Sequence, residues 1–275
     1  MKKLDVNGAQ IPVIGLGTWT LKGGTCVDIV SHALEHGYRH VDTATIYDNE
    51  EEVGEGIRAS GLARDQIFLT TKVWWTDLAP GDLERSAAES LKRLGVDAVD
   101  LLLIHWPSPD IPLAETIGAL NRAREKGLTR HIGVSNFPSR LLEAAAGHST
   151  APLVANQVEY HPYLNQEKVH AACLRQGMAM VSYCPLYRGG LLDEPAITEA
   201  AARHGKTPAQ IVLRWHIEQE NVAVIPRTSR LERLAENADI FDFSLDAGEM
   251  EAISRLKSAG RRICDYDFSP EWDQP

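Results

Sequence analysis

Several absences narrow the field. The 275 residues include only four cysteines, Cys26, Cys173, Cys184 and Cys264, and no C-x-x-C pair. That spacing leaves no dithiol motif and fits thiols in a reducing cytoplasm, the expected location. No apolar run approaches the roughly 20 residues needed to span a bilayer. The opening MKKLDVNGAQ has two lysines but no apolar stretch behind them, so no secretory leader is expected. Positive charge is scarce: 28 Lys and Arg face 38 Asp and Glu, a net charge of −10. Such a chain suits neither nucleic acid nor an anionic membrane, and any anionic ligand must find a local positive cradle. No Pro/Gly/Ser-rich linker, low-complexity tract or charge block interrupts the chain, which reads as a single domain over residues 1–275.

What is present is a rhythm. Asn7-Gly8 lies between two short apolar-alternating runs, a type I′ hairpin signal within residues 1–16. Short apolar runs then alternate with helical segments: YRHVD with Glu51–Ser60, IFLTTKVW with Leu83–Leu94, VDLLLIHW with Leu113–Lys126. LTRHIGVSN, LVANQVEY, MAMVSY and NVAVIP continue it, and Thr207-Pro208 marks a helix start. The repeat of about thirty residues means βαβ units and a parallel sheet. Seven or eight units favour closure into a TIM barrel, a (β/α)8 fold, over an open doubly wound sheet. The open sheet also lacks its fingerprint: GLGTWT has two of three glycines and, as read here, precedes no strand–helix crossover. Residues 257–275 read as a C-terminal loop.

The apolar runs end on polar groups: Asp42 (with Tyr47 beyond it), Lys72, His105, Ser135-Asn136, Gln157, Tyr183 and Arg227. In a barrel these ends converge on one face, where such enzymes keep their active sites. Singly, Asp42 and Lys72 read as a buried ion pair, His105 as a core histidine and Tyr47 as a packing residue. Together at consecutive strand ends they form a kit for protonating a carbonyl oxygen. An ammonium beside a phenol is expected to lower its pKa from about 10. The phenol then acts as general acid, and a neighbouring imidazole polarises the same oxygen.

GYRHVDTATIYDNE, FLTTKVW, LLLIHWP, IGVSNF, NQVEYHP and VIPRTSRLERLAEN occur in this order over nearly the whole chain. They resemble the signature segments of the aldo-keto reductase family. The resemblance implies a TIM barrel closed below by the N-terminal hairpin, NADPH/NADP+ as cofactor and a small carbonyl substrate. It places Asp42, Tyr47, Lys72 and His105 on the catalytic tetrad, with Tyr47 as proton donor. Ser135, Asn136 and Gln157 match the residues that hold the nicotinamide carboxamide, and Tyr183 the aromatic that stacks on the ring. Gly17, Thr18, Pro185, Leu186, Glu236 and Asn237 are likewise implied to contact the cofactor. Arg227, Thr228, Ser229 and Arg233 would surround the 2′-phosphate at a helix start, the local cradle an acidic chain requires. The family most often has lysine where this chain has Arg227; the charge is kept and the geometry differs. Trp19, Trp74 and Trp106, with His105, match the substrate pocket, and the short SPEWDQP tail implies a more open one than in long-tailed vertebrate members, if residues 261–275 fold over the mouth at all. The chain looks closest to the bacterial 2,5-diketo-D-gluconate reductase branch, which reduces keto sugar acids and methylglyoxal-like aldehydes. A monomer is expected.

Other motifs are weaker. His32-Ala-Leu-Glu35-His36 spells an inverted zinc motif, but Gly37 ends the helix and no third ligand follows, so no metal is expected. Arg188-Gly189-Gly190 reads as a mobile loop, and Ser135 lacks a G-x-S-x-G context. Two rival functions are a lyase using Lys72 as a Schiff base and a non-catalytic, cofactor-sensing barrel subunit. The first needs a neutral lysine, which a contact with Asp42 opposes.

Overall fold

The computed structural model describes residues 2–274. Strands β1 (Lys3–Val6) and β2 (Ala9–Pro12) form an antiparallel hairpin. Asn7 and Gly8 turn it with φ of 47° and 83°, as a type I′ turn requires. The Asn7 amide then donates to the carbonyls of Leu153 (2.7 Å) and Gln176 (2.9 Å), fixing the hairpin below the barrel. The hairpin is shorter than the expected 1–16. Residues 13–17 lead into the barrel, where Gly15 N–H and the Val13 carbonyl bond Val224 and Gly17 N–H bonds the Pro226 carbonyl.

β3 (Leu16–Gly17), α1 (Gly23–Glu35), β4 (His40–Asp42), α2 (Glu50–Ala59), β5 (Phe68–Val73), α3 (Asp82–Leu94) and β6 (Val99–Ile104) follow. Next come α4 (Leu113–Glu125), β7 (Thr129–Ser135), α5 (Ser139–His148), β8 (Leu153–Glu159), α6 (Glu167–Arg175) and β9 (Ala179–Tyr183). α7 (Pro195–His204), α8 (Pro208–Ile217), β10 (Val222–Val224), α9 (Glu232–Ala238) and α10 (Ala247–Ser254) complete the order. β3 to β10 pair in sequence order as one parallel eight-stranded sheet. The sheet closes on itself where Gly15 N–H donates to the Val224 carbonyl (2.9 Å) and Val224 N–H to that of Val13 (2.9 Å).

β3 corrects the sequence reading, because GLGTWT contains the first barrel strand and does lead into a crossover helix. Only Leu16 and Gly17 have strand geometry, too few to show a period. β5 and β6 are buried at every position, since a parallel sheet has helices outside and packed side chains within. Helix signals held to within a residue. α8 opens on Pro208 with Thr207 as its cap, in a reciprocal capping box with Gln210.

Candidate active site

The upper rim gathers groups far apart in sequence. Asp42 ends β4 and Lys72 lies one residue from the end of β5. Lys72 Nζ, fully buried, donates to Asp42 Oδ1 (2.5 Å), the Thr43 carbonyl (2.9 Å) and the Tyr47 hydroxyl (3.3 Å). All three N–H bonds of the ammonium thus reach oxygen. Tyr47 closes a 3-10 turn (Thr45–Tyr47) whose next residue, Asp48, has a φ of 50°, and this places the phenol over Lys72. His105 directly follows β6, its ring 5.6 Å from that of Tyr47.

Electrostatics revise one expectation. Burial, with Asp42 adding to it, holds the Tyr47 phenol well above its ordinary range of about 10. The expected lowering by Lys72 does not prevail, because burial penalises the phenolate and the Asp42 carboxylate lies closer to the ammonium (2.5 Å) than the phenol does (3.3 Å). Tyr47 is therefore protonated before reaction, the form a proton donor needs. Burial also pulls Lys72 below its ordinary 10.5, with Asp42 opposing. Burial and then Lys72 hold His105 well below 6.5, so its ring is neutral near neutrality.

The remaining sequence candidates sit around this core. Gln157 donates from Nε2 to Asp42 Oδ2 (2.7 Å), so both carboxylate oxygens are occupied. Ser135 Oγ donates to the Gln157 carbonyl (2.8 Å) and accepts from Asn136 (3.1 Å). Asn136, at φ 64°, accepts from the Tyr183 hydroxyl (2.7 Å), which fixes the Tyr183 ring at the end of β9. Gly17 approaches the last strand so closely that a Cβ there would meet the Ile225 carbonyl at 2.9 Å. Thr18 spends its hydroxyl on the Asp42 carbonyl (2.9 Å). Pro185 is buried and Leu186 half-buried just beyond Tyr183.

At the start of α9, Ser229, Arg227 and Arg233 are exposed, and among the described residues neither of these arginines has a carboxylate partner. Arg227 gives one N–H to the Trp19 carbonyl (3.2 Å). Thr228 and Asn237 are buried, while Glu236 accepts a bond from Thr207 (2.8 Å). Trp74 packs edge-on to His105 (5.1 Å), but Trp19 is 45% exposed and lies against Arg188 (5.4 Å) instead. In the zinc-like motif, the rings of His32 and His36 bond main-chain carbonyls one turn back, at 2.8 and 2.7 Å.

Two features escaped the sequence reading. The residue that ends β8 is Glu159, two beyond Gln157. Its buried carboxylate accepts from Ile263 N–H (2.7 Å), Cys264 N–H (2.7 Å) and His161 (2.9 Å). This clasp draws the C-terminal segment over the mouth, against the tryptophans of the rim. Phe268 lies 5.5 Å from Trp74 and 5.5 Å from Trp106, with Tyr266 and Trp272 also on Trp106. The closely spaced aromatics of DYDFSPEW were the available signal.

Known proteins are similar to this chain in sequence and in fold. A methylglyoxal reductase, DkgB, from Escherichia coli O157:H7 is 42% identical over 266 residues, covering 96% of this chain and 99% of that protein. A crystal structure identified only provisionally as a 2,5-diketo-D-gluconic acid reductase B has a TM-score of 0.97 at 48% identity, covering 100% of this chain and 98% of that one. A Bombyx mori aldo-keto reductase solved in complex with NADP has a TM-score of 0.89 at 36% identity, covering 96% and 94%. The model of the aldo/keto reductase family matches residues 13–258, a span that takes in the whole rim from Gly17 to Asn237, and the chain belongs to that family.

Proposed function

We propose that this aldo-keto reductase reduces small aldehydes and ketones, keto sugar acids and methylglyoxal-like carbonyls among them, with Tyr47 as the proton donor. NADPH, when bound, supplies the hydride. The observation that carries the assignment is the Lys72 ammonium shared between Asp42 and the Tyr47 hydroxyl. As Tyr47 releases its proton to the carbonyl oxygen, the ammonium 3.3 Å away stabilises the phenolate. Neutral His105 donates one N–H to the same oxygen and orients it. Trp74, Trp106 and the tail aromatics exclude water from the reacting carbon.

The groups present fit the dinucleotide. Ser135, Asn136 and Gln157 offer hydroxyl and amide groups for the carboxamide, and the hydroxyl-locked Tyr183 offers a ring face. Gly17, Thr18, Pro185 and Leu186 line the approach. Arg227 and Arg233, which have no carboxylate partner among the described residues, suit a phosphate with Thr228 and Ser229, and Glu236 and Asn237 lie beside them. The working unit in this reading is a monomer of one domain. Free cysteines support a cytoplasmic setting.

The test is NADPH oxidation with methylglyoxal, glyoxal and 2,5-diketogluconate. Turnover of any, faster with NADPH than NADH, is expected; none with any carbonyl overturns the assignment and favours the cofactor-sensing subunit. Borohydride trapping of a Lys72 adduct would favour the lyase, which the three oxygen partners of Nζ oppose.

A further inference from the structure

Asn49 stands at the N-cap position of α2, where an asparagine ordinarily turns its side chain back to bond a free N–H of the helix's first turn. Here it makes no such bond. Its buried amide is spent on the rim instead. Nδ2 donates to the Thr18 carbonyl (2.9 Å) and the Leu21 carbonyl (3.0 Å), and Oδ1 accepts from the Thr43 hydroxyl (2.8 Å). These partners belong to the loop that leaves β3 and to the residue that follows β4. Both places touch the chemistry. Thr43 presents its carbonyl to Lys72 Nζ (2.9 Å), and Thr18 bonds the Asp42 carbonyl through its N–H (3.0 Å) and its hydroxyl (2.9 Å). Asn49 lies two residues beyond Tyr47. Bonds inside the Tyr47 turn, from Tyr47 N–H to the Ala44 carbonyl (3.1 Å) and from Asp48 N–H to that of Thr45 (3.2 Å), fix its shape but not its seat on the barrel. Glu50 seats the far side, its buried carboxylate accepting from the Thr71 hydroxyl and from Arg93. Asn49 seats the side that faces the mouth.

We propose that Asn49 is a positioning residue for the reaction: it ties the Tyr47 turn to the Thr18–Leu21 loop and to Thr43, and so fixes the reach of the phenol over Lys72. The inference rests on Tyr47 being the proton donor. Of the three bonds that Lys72 Nζ makes, the one to the Tyr47 hydroxyl is the longest, at 3.3 Å against 2.5 and 2.9 Å. A shift of the turn by about 1 Å breaks it and leaves the other two in place. The loop on the other side of Asn49 has anchors of its own. Thr18 holds the Asp42 carbonyl, Gly17 N–H holds that of Pro226 (3.1 Å), and Arg227 holds that of Trp19 (3.2 Å). Loss of the Asn49 amide therefore frees the Tyr47 turn and not the loop along which the cofactor would lie.

The test compares full-length Asn49→Ser, Thr43→Val and Thr43→Ser with the wild type. It reads NADPH affinity, single-turnover carbonyl reduction in light and heavy water, and the Cζ resonance of isotope-labelled Tyr47, assigned with Tyr47→Phe. Serine caps a helix about as well as asparagine, so Asn49→Ser keeps the start of α2 and removes the rim bonds. NADPH affinity should stay within about threefold while the chemical step slows about ten- to a hundredfold, with a larger solvent isotope effect as proton delivery becomes limiting. Thr43→Val, close to threonine in shape, deletes one bond and should slow the step about fivefold, whereas Thr43→Ser keeps the hydroxyl and should match the wild type within about twofold. In the double variant Asn49→Ser/Thr43→Val the losses should not add, because the two residues share a bond. A wild-type rate in Asn49→Ser would overturn the inference. A slowed Asn49→Ser with an unchanged isotope effect and an unmoved Tyr47 resonance would also overturn it, leaving Asn49 a purely structural residue. The resonance reports the seat of Tyr47 without turnover, so failure of the carbonyl-reduction assignment is distinguishable from failure of this one.

Discussion

At the ends of β4 and β5 the polar groups are buried and already bonded to one another, whereas around the start of α9 the Arg227 and Arg233 guanidinium groups stand in solvent without carboxylate partners among the described residues. Asp42 has both oxygens occupied and Lys72 all three N–H bonds. Arg233 and Arg227 have no ion pair among the described residues. The first region bears its desolvation cost during folding, so its geometry is set before any ligand arrives. The second keeps its charge solvated and gains partners only when an anion binds. One is built for chemistry and the other for capture, and they should fail differently.

Lys72→Met should show the larger failure. It leaves a buried carboxylate unpaired, costing about 3–5 kcal/mol of stability, and removes the support for a phenolate. Turnover should fall about a hundred- to a thousandfold, and chemical denaturation with steady-state kinetics reads both losses. Arg233→Ala should leave stability intact and weaken NADPH about ten- to a hundredfold while barely altering NADH. Equal weakening of both cofactors, by fluorescence titration, would remove the phosphate assignment.

Acid sensitivity belongs to neither region but to the buried interior. Burial holds His40 near about 4 and His216 near about 3, against an ordinary 6.5. The unfolded chain takes up these protons below about 6.5 while the fold refuses them, so stability falls with pH and levels off near pH 3–4. Each histidine contributes about 1.4 kcal/mol per pH unit, roughly tenfold in the folding equilibrium. Melting temperatures between pH 7 and 4.5 should therefore decline; a flat profile would contradict the neutral interior.

Much of the barrel was legible because buried parallel strands read as short apolar runs and amphipathic helices carry a local period. β3 was not, because two residues show no alternation and closure depends on carbonyls of the distant β10. Convergence of Asp42, Lys72 and His105 followed from their places at strand ends. The acidity of Tyr47 did not, because it depends first on how deeply the phenol is buried and then on the nearby Asp42 carboxylate. The Glu159 clasp was hidden for a similar reason: its partners are backbone amides of residues 263 and 264, which no side-chain motif announces.

The most direct test is Tyr47→Phe, assayed for both NADPH affinity and single-turnover carbonyl reduction. The ring and its edge contact with His105 at 5.6 Å survive, and only the hydroxyl is lost. Affinity should stay within about twofold while the chemical step slows at least a hundredfold. A variant that binds NADPH and reduces carbonyls at the wild-type rate would contradict the assignment of the proton to Tyr47.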